Sequence, residues 1–231
     1  MTKQRKNYKA VVFDLDGTLV DSLSDLTDAC NAVMAHYGLP AKSYEEGKTL
    51  IGRGLRVLMK RALPPEMGDD PAVLDEAEAL LREEYARRYT AKTRPYPGIP
   101  ELLGRLKREG IPFCVSTNKP DGAAKIVVEA LLNAGDFTAV YGQMEGRPRK
   151  PDPTSVFELT QKMGVEPADC VYMGDSIVDY ETAVNAGMLP LLCMWGFGDT
   201  ARLRTLEDAL CIEGPEELLP HLEGFSDGEG L

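Results

Sequence analysis

The sequence predicts an α/β protein, a parallel β-sheet covered by helices and interrupted after its first strand by an all-helical insert. Three observations carry that prediction. From residue 94 onward, short apolar runs ending in polar residues alternate with helical patterns, and such alternation marks βαβ units and a parallel sheet. A similar run, Val11 to Phe13, stands apart near the start. Between residues 21 and 93 no strand signal occurs, and apolar residues recur instead at steps of three and four.

Taken in order, Val11 to Phe13 is bounded by Asp-Leu-Asp-Gly and reads as a buried strand. Leu26, Cys30, Val33, Met34 and Tyr37 define a helix that Gly38 and Pro40 end. Leu55, Leu58, Met59 and Ala62 give a second helical stripe. After the breaker PPEMGDDP, a third is formed by Leu74, Ala77, Leu81 and Tyr85. The turn-rich RPYPGIP closes the insert. A helix over 101–109 and a strand in IPFCVST follow, then a helix running to Leu132 with Asp121 placed to cap it. FTAVYG reads as a strand, Val156 to Met163 as a helix and CVYMGD as a strand. Ile177 to Ala186 is a helix ended by Gly187, and LPLLCMW is a further strand. The expected organisation is a three-layer, Rossmann-like α/β core from residues 1–20 and 94–231, carrying a helical cap domain at 21–93.

The chain has 231 residues, 43% hydrophobic and 27% charged, ordinary for a folded globular protein. Its net charge of −11 argues against nucleic acid or an anionic membrane as the main partner. A small anionic substrate would then need a local positive centre. His36 and His221 are the only histidines, which leaves little room for His-based catalysis or a His-rich zinc site. The five cysteines form no CxxC pair and lie in apolar segments, as expected of buried thiols in a cytoplasmic protein. The basic start MTKQRKNYK has no apolar core of a signal peptide and reads as a solvated extension. No run approaches the ~18 apolar residues of a membrane span. Oligomeric state stays open between monomer and dimer.

In open parallel sheets, ligands bind outside the carboxyl ends of the strands. The first strand ends in Asp14 and Asp16, the next in Ser116, Thr117 and Asn118, and a later one in Gly174, Asp175 and Ser176, with Asp179 four residues beyond Asp175. Lys150 lies in a proline-rich loop ahead of a helix. Asp14, Asp16 and Asp175 would repel one another unless a cation or proton intervened. An all-oxygen donor set without His or Cys favours Mg²⁺ over zinc, and a magnesium ion so held also binds substrate phosphate. Lys150 adds a positive centre and the Thr117 hydroxyl can donate to a phosphate oxygen, so the chemistry expected is phosphoryl transfer on a small phosphorylated metabolite. Asp14 suits the nucleophile that forms an aspartyl phosphate. Asp16 suits the acid that protonates the leaving oxygen and then takes a proton from water. Gly17 permits a close turn whose amides are candidates for binding phosphate. Cys114 is not followed by the arginine of a phosphate-cradling thiol site, and Trp195 and Phe197 read mainly as packing and loop-turn residues.

FDLDGTLVDS, VSTNKP, RKPDP and GDSIVD resemble, in that order, the four motifs of the haloacid dehalogenase superfamily. The resemblance implies that Asp14 is the nucleophile and Asp16 the acid/base. It further implies that Thr117 binds phosphate, that Asn118 helps through its backbone, and that Lys150 neutralises charge. Mg²⁺ would be held by Asp14, the Asp16 carbonyl and Asp175, with Asp179 supporting that shell or only capping or salt-bridging a helix. An acid at position 16 resembles the phosphatase and mutase branches. The insert, with TLIGRGLRVLMKRAL at 49–63, resembles the cap of the phosphoglycolate phosphatase group. That likeness places Arg53 across the cleft against a substrate carboxylate and makes phosphoglycolate the best single substrate. The alternatives are a phosphomutase of the β-phosphoglucomutase kind and a non-catalytic protein that senses a ligand in the cleft.

Overall fold

The computed structural model describes residues 7–223 apart from Arg53. Residues 1–6 of the solvated extension expected over MTKQRKNYK, and the cap role expected of Arg53, lie outside the described residues. The end of that stretch is not a free extension, because Tyr8 bridges to Leu222 and Lys9 donates its N–H to Asp169 O at 2.8 Å and pairs with the Asp169 carboxylate at 3.0 Å.

Strand β1 (Ala10–Phe13) is completely buried. A two-residue strand, β2 (Val20–Asp21), leads into five helices: α1 (Leu23–His36), α2 (Tyr44–Leu50), α3 (Leu55–Ala62), α4 (Pro65–Gly68) and α5 (Pro71–Ala86). The chain returns through β3 (Arg94–Pro95), antiparallel to β2. Then come α6 (Ile99–Arg108), β4 (Phe113–Pro120), α7 (Asp121–Leu131), β5 (Val140–Gln143), α8 (Thr154–Met163), β6 (Cys170–Gly174), α9 (Ile177–Ala186), β7 (Leu189–Cys193), α10 (Thr200–Leu203) and β8 (Leu210–Ile212). The large sheet runs β5-β4-β1-β6-β7-β8, with all its neighbours parallel.

The two-residue period of a strand divides β1 between two cores. Val11 and Phe13 face Leu102 and Leu106 of α6 and Val127 of α7. Ala10 and Val12 face Val156 and Leu159 of α8 and Ala183 of α9. Phe13, Phe113 and Phe137 stack edge to face on the first side, with centroids 6.2 and 4.8 Å apart. Helices on both faces give the three-layer α/β architecture. Because β4 and β6 flank β1 on opposite sides, the connections diverge there and leave a crevice at the strands' carboxyl ends.

The insert has a hydrophobic core of its own, including Leu26, Val33, Leu58, Met59, Leu81 and Tyr85. The β2–β3 ribbon carries the chain into it and back out. Asp25, fully buried in the first turn of α1, fastens the return strand: its carboxylate accepts from Lys92 N at 3.0 Å, Thr93 N at 2.8 Å and Thr93 Oγ1 at 2.7 Å. Asp25→Ala would orphan those buried donors and is expected to destabilise the fold by about 2–4 kcal/mol in urea denaturation. A loss under about 0.5 kcal/mol would show that Asp25 does not fasten the ribbon.

Two local expectations change, those for Asp121 and for the cysteines, and α2 is a helix that no expectation covered. Asp121 begins α7 but does not cap it, because its Oδ1 accepts from Gly142 N of β5 at 3.0 Å and its Oδ2 pairs with Lys125 at 2.7 Å. Helix α2 carries no apolar stripe and is defined instead by a capping box, Ser43 with Glu46. Four of the five cysteines are buried, but Cys211 on the edge strand β8 is only partly so. No helix among the described residues is long and apolar enough to cross a membrane.

Candidate active site

The first strand delivers Asp14 to the crevice, and its backbone N–H continues the ladder by donating to Met173 O at 2.9 Å. The chain then turns sharply, with three amides, those of Thr18, Leu19 and Val20, converging on Leu15 O. Gly17 makes the turn possible. Its φ is +86°, and a Cβ there would fall 2.3 Å from Asp175 Oδ2. The Gly17 N–H is occupied by Val20 O at 2.9 Å. The turn therefore brings carboxylates together but does not offer this amide to a phosphate.

Asp14, Asp175 and Asp179 converge, with one carboxylate oxygen from each within 4.8 Å of the others, and all three residues are buried. Lys150 Nζ enters this group at 2.9 Å from Asp14 Oδ1, 2.6 Å from Asp179 Oδ1 and 3.0 Å from the Tyr172 hydroxyl. The contact with Asp14 is an ion pair lacking the angle of a hydrogen bond, so Asp14 Oδ1 stays without a hydrogen-bond partner. Asp179 also closes a capping box on α9, accepting from Ser176 N at 3.0 Å and Ser176 Oγ at 2.6 Å. Its two oxygens are thus engaged by a lysine and a helix cap, while it still lines the acidic group. Asp175 Oδ2 accepts from Phe197 N at 2.7 Å.

Burial raises the Asp14 carboxyl to about 6, against the opposing pull of Lys150. Burial and the neighbouring Asp179 and Asp14 push Asp175 well above the usual carboxylate range. Lys150 is also raised, well above its ordinary value: burial lowers it, but Asp14 and Asp179 outweigh that and fix its charge. Three carboxylates against one ammonium leave two negative charges when all are ionised, the complement of one divalent cation. Hard oxygen donors, an Asp14 oxygen without a hydrogen-bond partner and that charge balance fit a divalent metal.

Asp16 leads elsewhere. Its carboxylate pairs with Lys119 Nζ at 2.8 and 3.1 Å. The same ammonium contacts the Tyr85 hydroxyl, supplied by the insert. Thr117 Oγ1 accepts from Lys119 N at 3.2 Å, which leaves its own O–H free to donate. Asn118 acts through its side chain: Oδ1 accepts from Lys150 N at 3.0 Å and Nδ2 donates to Lys150 O at 3.3 Å. It tethers the loop that presents the lysine. Between sheet edge and insert lies a cavity of about 100 Å³, walled by Leu26, Ile51, Leu55 and Leu58 on the insert side and by Asp14, Asp16, Thr117 and Lys150 on the core side.

Sequence reasoning missed Lys119, Tyr85 and Tyr172 and gave Phe197 a packing role. Lys119 was within reach, since it lies two residues beyond Thr117 at the same strand end, where β4 departs from regular register with β5 between Ser116 and Pro120. Phe197 contributes a backbone amide, for which the flanking Gly196 and Gly198 were the signal; a Cβ on Gly196 would meet Asp175 Cβ at 2.3 Å. Trp195 donates Nε1–H to Thr18 O at 3.1 Å, binding the same loop to the turn after β1.

A family model described as haloacid dehalogenase-like hydrolase matches residues 8–187. The phosphoglycolate phosphatase 1 of Pseudomonas aeruginosa is 34% identical over 92% of this chain and 79% of its own length. The phosphoglycolate phosphatase of Rhodospirillum rubrum is 37% identical over 82% of this chain and 80% of its own. A crystal structure from Lactobacillus delbrueckii, of a candidate phosphoglycolate phosphatase, superposes with a TM-score of 0.87 at 30% identity, covering 95% of this chain and 100% of that one. With all four motifs gathered at one sheet edge and a matched region spanning most of its length, the chain belongs to the haloacid dehalogenase-like hydrolase family.

Proposed function

We propose that this phosphatase hydrolyses a small organic phosphate monoester through an aspartyl-phosphate intermediate, with Mg²⁺ as the metal and phosphoglycolate as the best single substrate, in the cytoplasm. The observation that carries the reading is the pair Asp14 and Asp16, one residue apart but given different partners. Asp14 sits in the acidic group with Lys150, and Asp16 stands outside it beside Lys119.

Asp14, Asp175 and the Asp16 carbonyl would hold the metal, which when bound supplies positive charge to the phosphate oxygens and offsets the charge of the attacking carboxylate. Asp14 attacks phosphorus and the bond to the leaving oxygen breaks. Asp16 gives that oxygen its proton, then removes one from the water that attacks the aspartyl phosphate, so the enzyme returns to its starting state. Lys150 and the Thr117 O–H stabilise the charge carried by the phosphoryl oxygens. The cavity of about 100 Å³ suits a phosphate on a small organic group, since one water needs only ~10–15 Å³ by the same measure. Its apolar far wall sheds bulk water from the reacting centre. The names of the relatives support phosphoglycolate.

Chelation by EDTA is expected to stop turnover of p-nitrophenyl phosphate, and excess Mg²⁺ to restore it; full activity in EDTA would remove the metal from the mechanism. A panel of phosphoglycolate, sugar phosphates, nucleotides and pyrophosphate, with products identified, tests the substrate. A phosphoglycolate kcat/KM no higher than those of the other members would overturn that choice, and phosphoryl return to a sugar would indicate a mutase.

A further inference from the structure

Each acid of the Asp-Leu-Asp stretch has its own buried lysine, and each lysine is held by a tyrosine. Lys150 is caged by Asp14, Asp179 and Tyr172, all residues of the core. Lys119 is caged by Asp16 Oδ1 at 2.8 Å, Asp16 Oδ2 at 3.1 Å and the Tyr85 hydroxyl. The two oxygens of one carboxylate and the tyrosine hydroxyl thus fix the Lys119 ammonium beside Asp16.

The two cages differ in origin. Tyr172 lies on β6, beneath the site, whereas Tyr85 lies near the end of α5 in the helical insert. The Tyr85 side chain is fully buried, its ring packed edge-on against Tyr89 at 4.8 Å and 4.6 Å from the Lys119 ammonium. Among the described residues, no other side chain and no backbone amide holds the Asp16 carboxylate. Its orientation therefore depends on Lys119, and that of Lys119 on a residue of the insert.

We propose that Lys119 and Tyr85 are positioning residues for Asp16, the lysine clamping both carboxylate oxygens and the tyrosine tying that clamp to the seated cap. Asp14 has no such link, because its lysine is held by the core alone. The cap thus sets the geometry of proton transfer separately from that of nucleophilic attack. This proposal rests on the reading of Asp16 as proton donor to the leaving oxygen.

The test compares two esters in Asp16→Asn, Lys119→Met and Tyr85→Phe. p-Nitrophenolate leaves without needing a proton, whereas the alkoxide of phosphoglycolate does need one, and kcat/KM reports events up to phosphoryl transfer to Asp14. The alkyl-to-aryl ratio of kcat/KM is expected to fall about 100-fold in Asp16→Asn, about tenfold or more in Lys119→Met and roughly threefold in Tyr85→Phe. Merely structural damage lowers both esters alike. Equal losses in Lys119→Met, while Asp16→Asn stays selective, would overturn the positioning role and leave the role of Asp16 standing. An unchanged ratio in Asp16→Asn would overturn both. Tyr85→Phe removes one oxygen and keeps the packed ring, so if Lys119→Met does not fold, this variant decides; an unchanged ratio in it overturns the tie to the cap.

Discussion

Asp14→Asn is expected to lower turnover of p-nitrophenyl phosphate by roughly 10⁴-fold or more, the scale seen when a covalent nucleophile is removed, while leaving the protein at least as heat-stable as the wild type in EDTA at pH 7. The stability half follows from the charge in the crevice. Asp14 shares its burial with Asp175 and Asp179, against the one ammonium of Lys150. Burial raises the Asp14 carboxyl to about 6 in the folded protein, above the ~4 of an unfolded aspartate. Between those values the folded state binds more protons than the unfolded one, so this group costs stability as pH rises through them. Asparagine cannot ionise, and its amide oxygen still faces the Lys150 ammonium, so the variant escapes that cost. Its Tm should match the wild type near pH 4 and equal or exceed it at pH 7. A Tm several degrees lower at pH 7 would show that Asp14 is needed for the fold, and wild-type turnover would show that it is not the nucleophile.

That a buried acid at a strand end can be a burden to the fold explains why the candidate site was so legible in the sequence. Asp14 and Asp175 each end an apolar run, where ordinary packing would not choose an acid, so their oddity is visible without coordinates. Strand and helix periods likewise exposed β1, β4, β6, α8 and α9, whose buried faces follow from their own sequence. Other features depend on neighbours distant in sequence. Tyr85 looked like one more core residue in the stripe of α5, and nothing local says that its hydroxyl meets Lys119, 34 residues away. Nothing near Asp25 in the sequence marks it as the residue that Thr93 meets, 68 residues on. Strand β8 is three residues long at the sheet edge, too short for a period. Asn118 was expected to act through its backbone; it lines the crevice, but its side-chain grip on the Lys150 backbone belongs to a contact between two loops.

Lys150→Met should do the opposite of Asp14→Asn and damage stability and catalysis together. The ammonium is 2.6 Å from Asp179 Oδ1 and 2.9 Å from Asp14 Oδ1, with all three side chains buried. Methionine fills similar space without charge, so two carboxylates lose their cation at once. Removing one side of a buried ion pair costs about 3–5 kcal/mol, and the loss of a preorganised charge on the phosphoryl group costs roughly 10²–10³-fold in kcat. The stability deficit carries a pH signature. Lys150 is the main influence holding the Asp14 carboxyl down against burial, so in the variant that carboxyl moves above about 6. A folded-state value above the unfolded one means stability is retained at low pH and lost as pH rises. The gap between variant and wild type in EDTA should therefore be widest above about pH 7 and narrow towards pH 5, as protons take the place of the missing ammonium. Added Mg²⁺ should recover part of the lost stability at pH 7 if the three carboxylates hold a divalent ion, because the ion supplies the charge that the methionine lacks. A deficit independent of pH would mean that Lys150 contributes packing alone. A deficit that follows pH but does not respond to Mg²⁺ would keep its electrostatic role and exclude these carboxylates as the place where the metal acts.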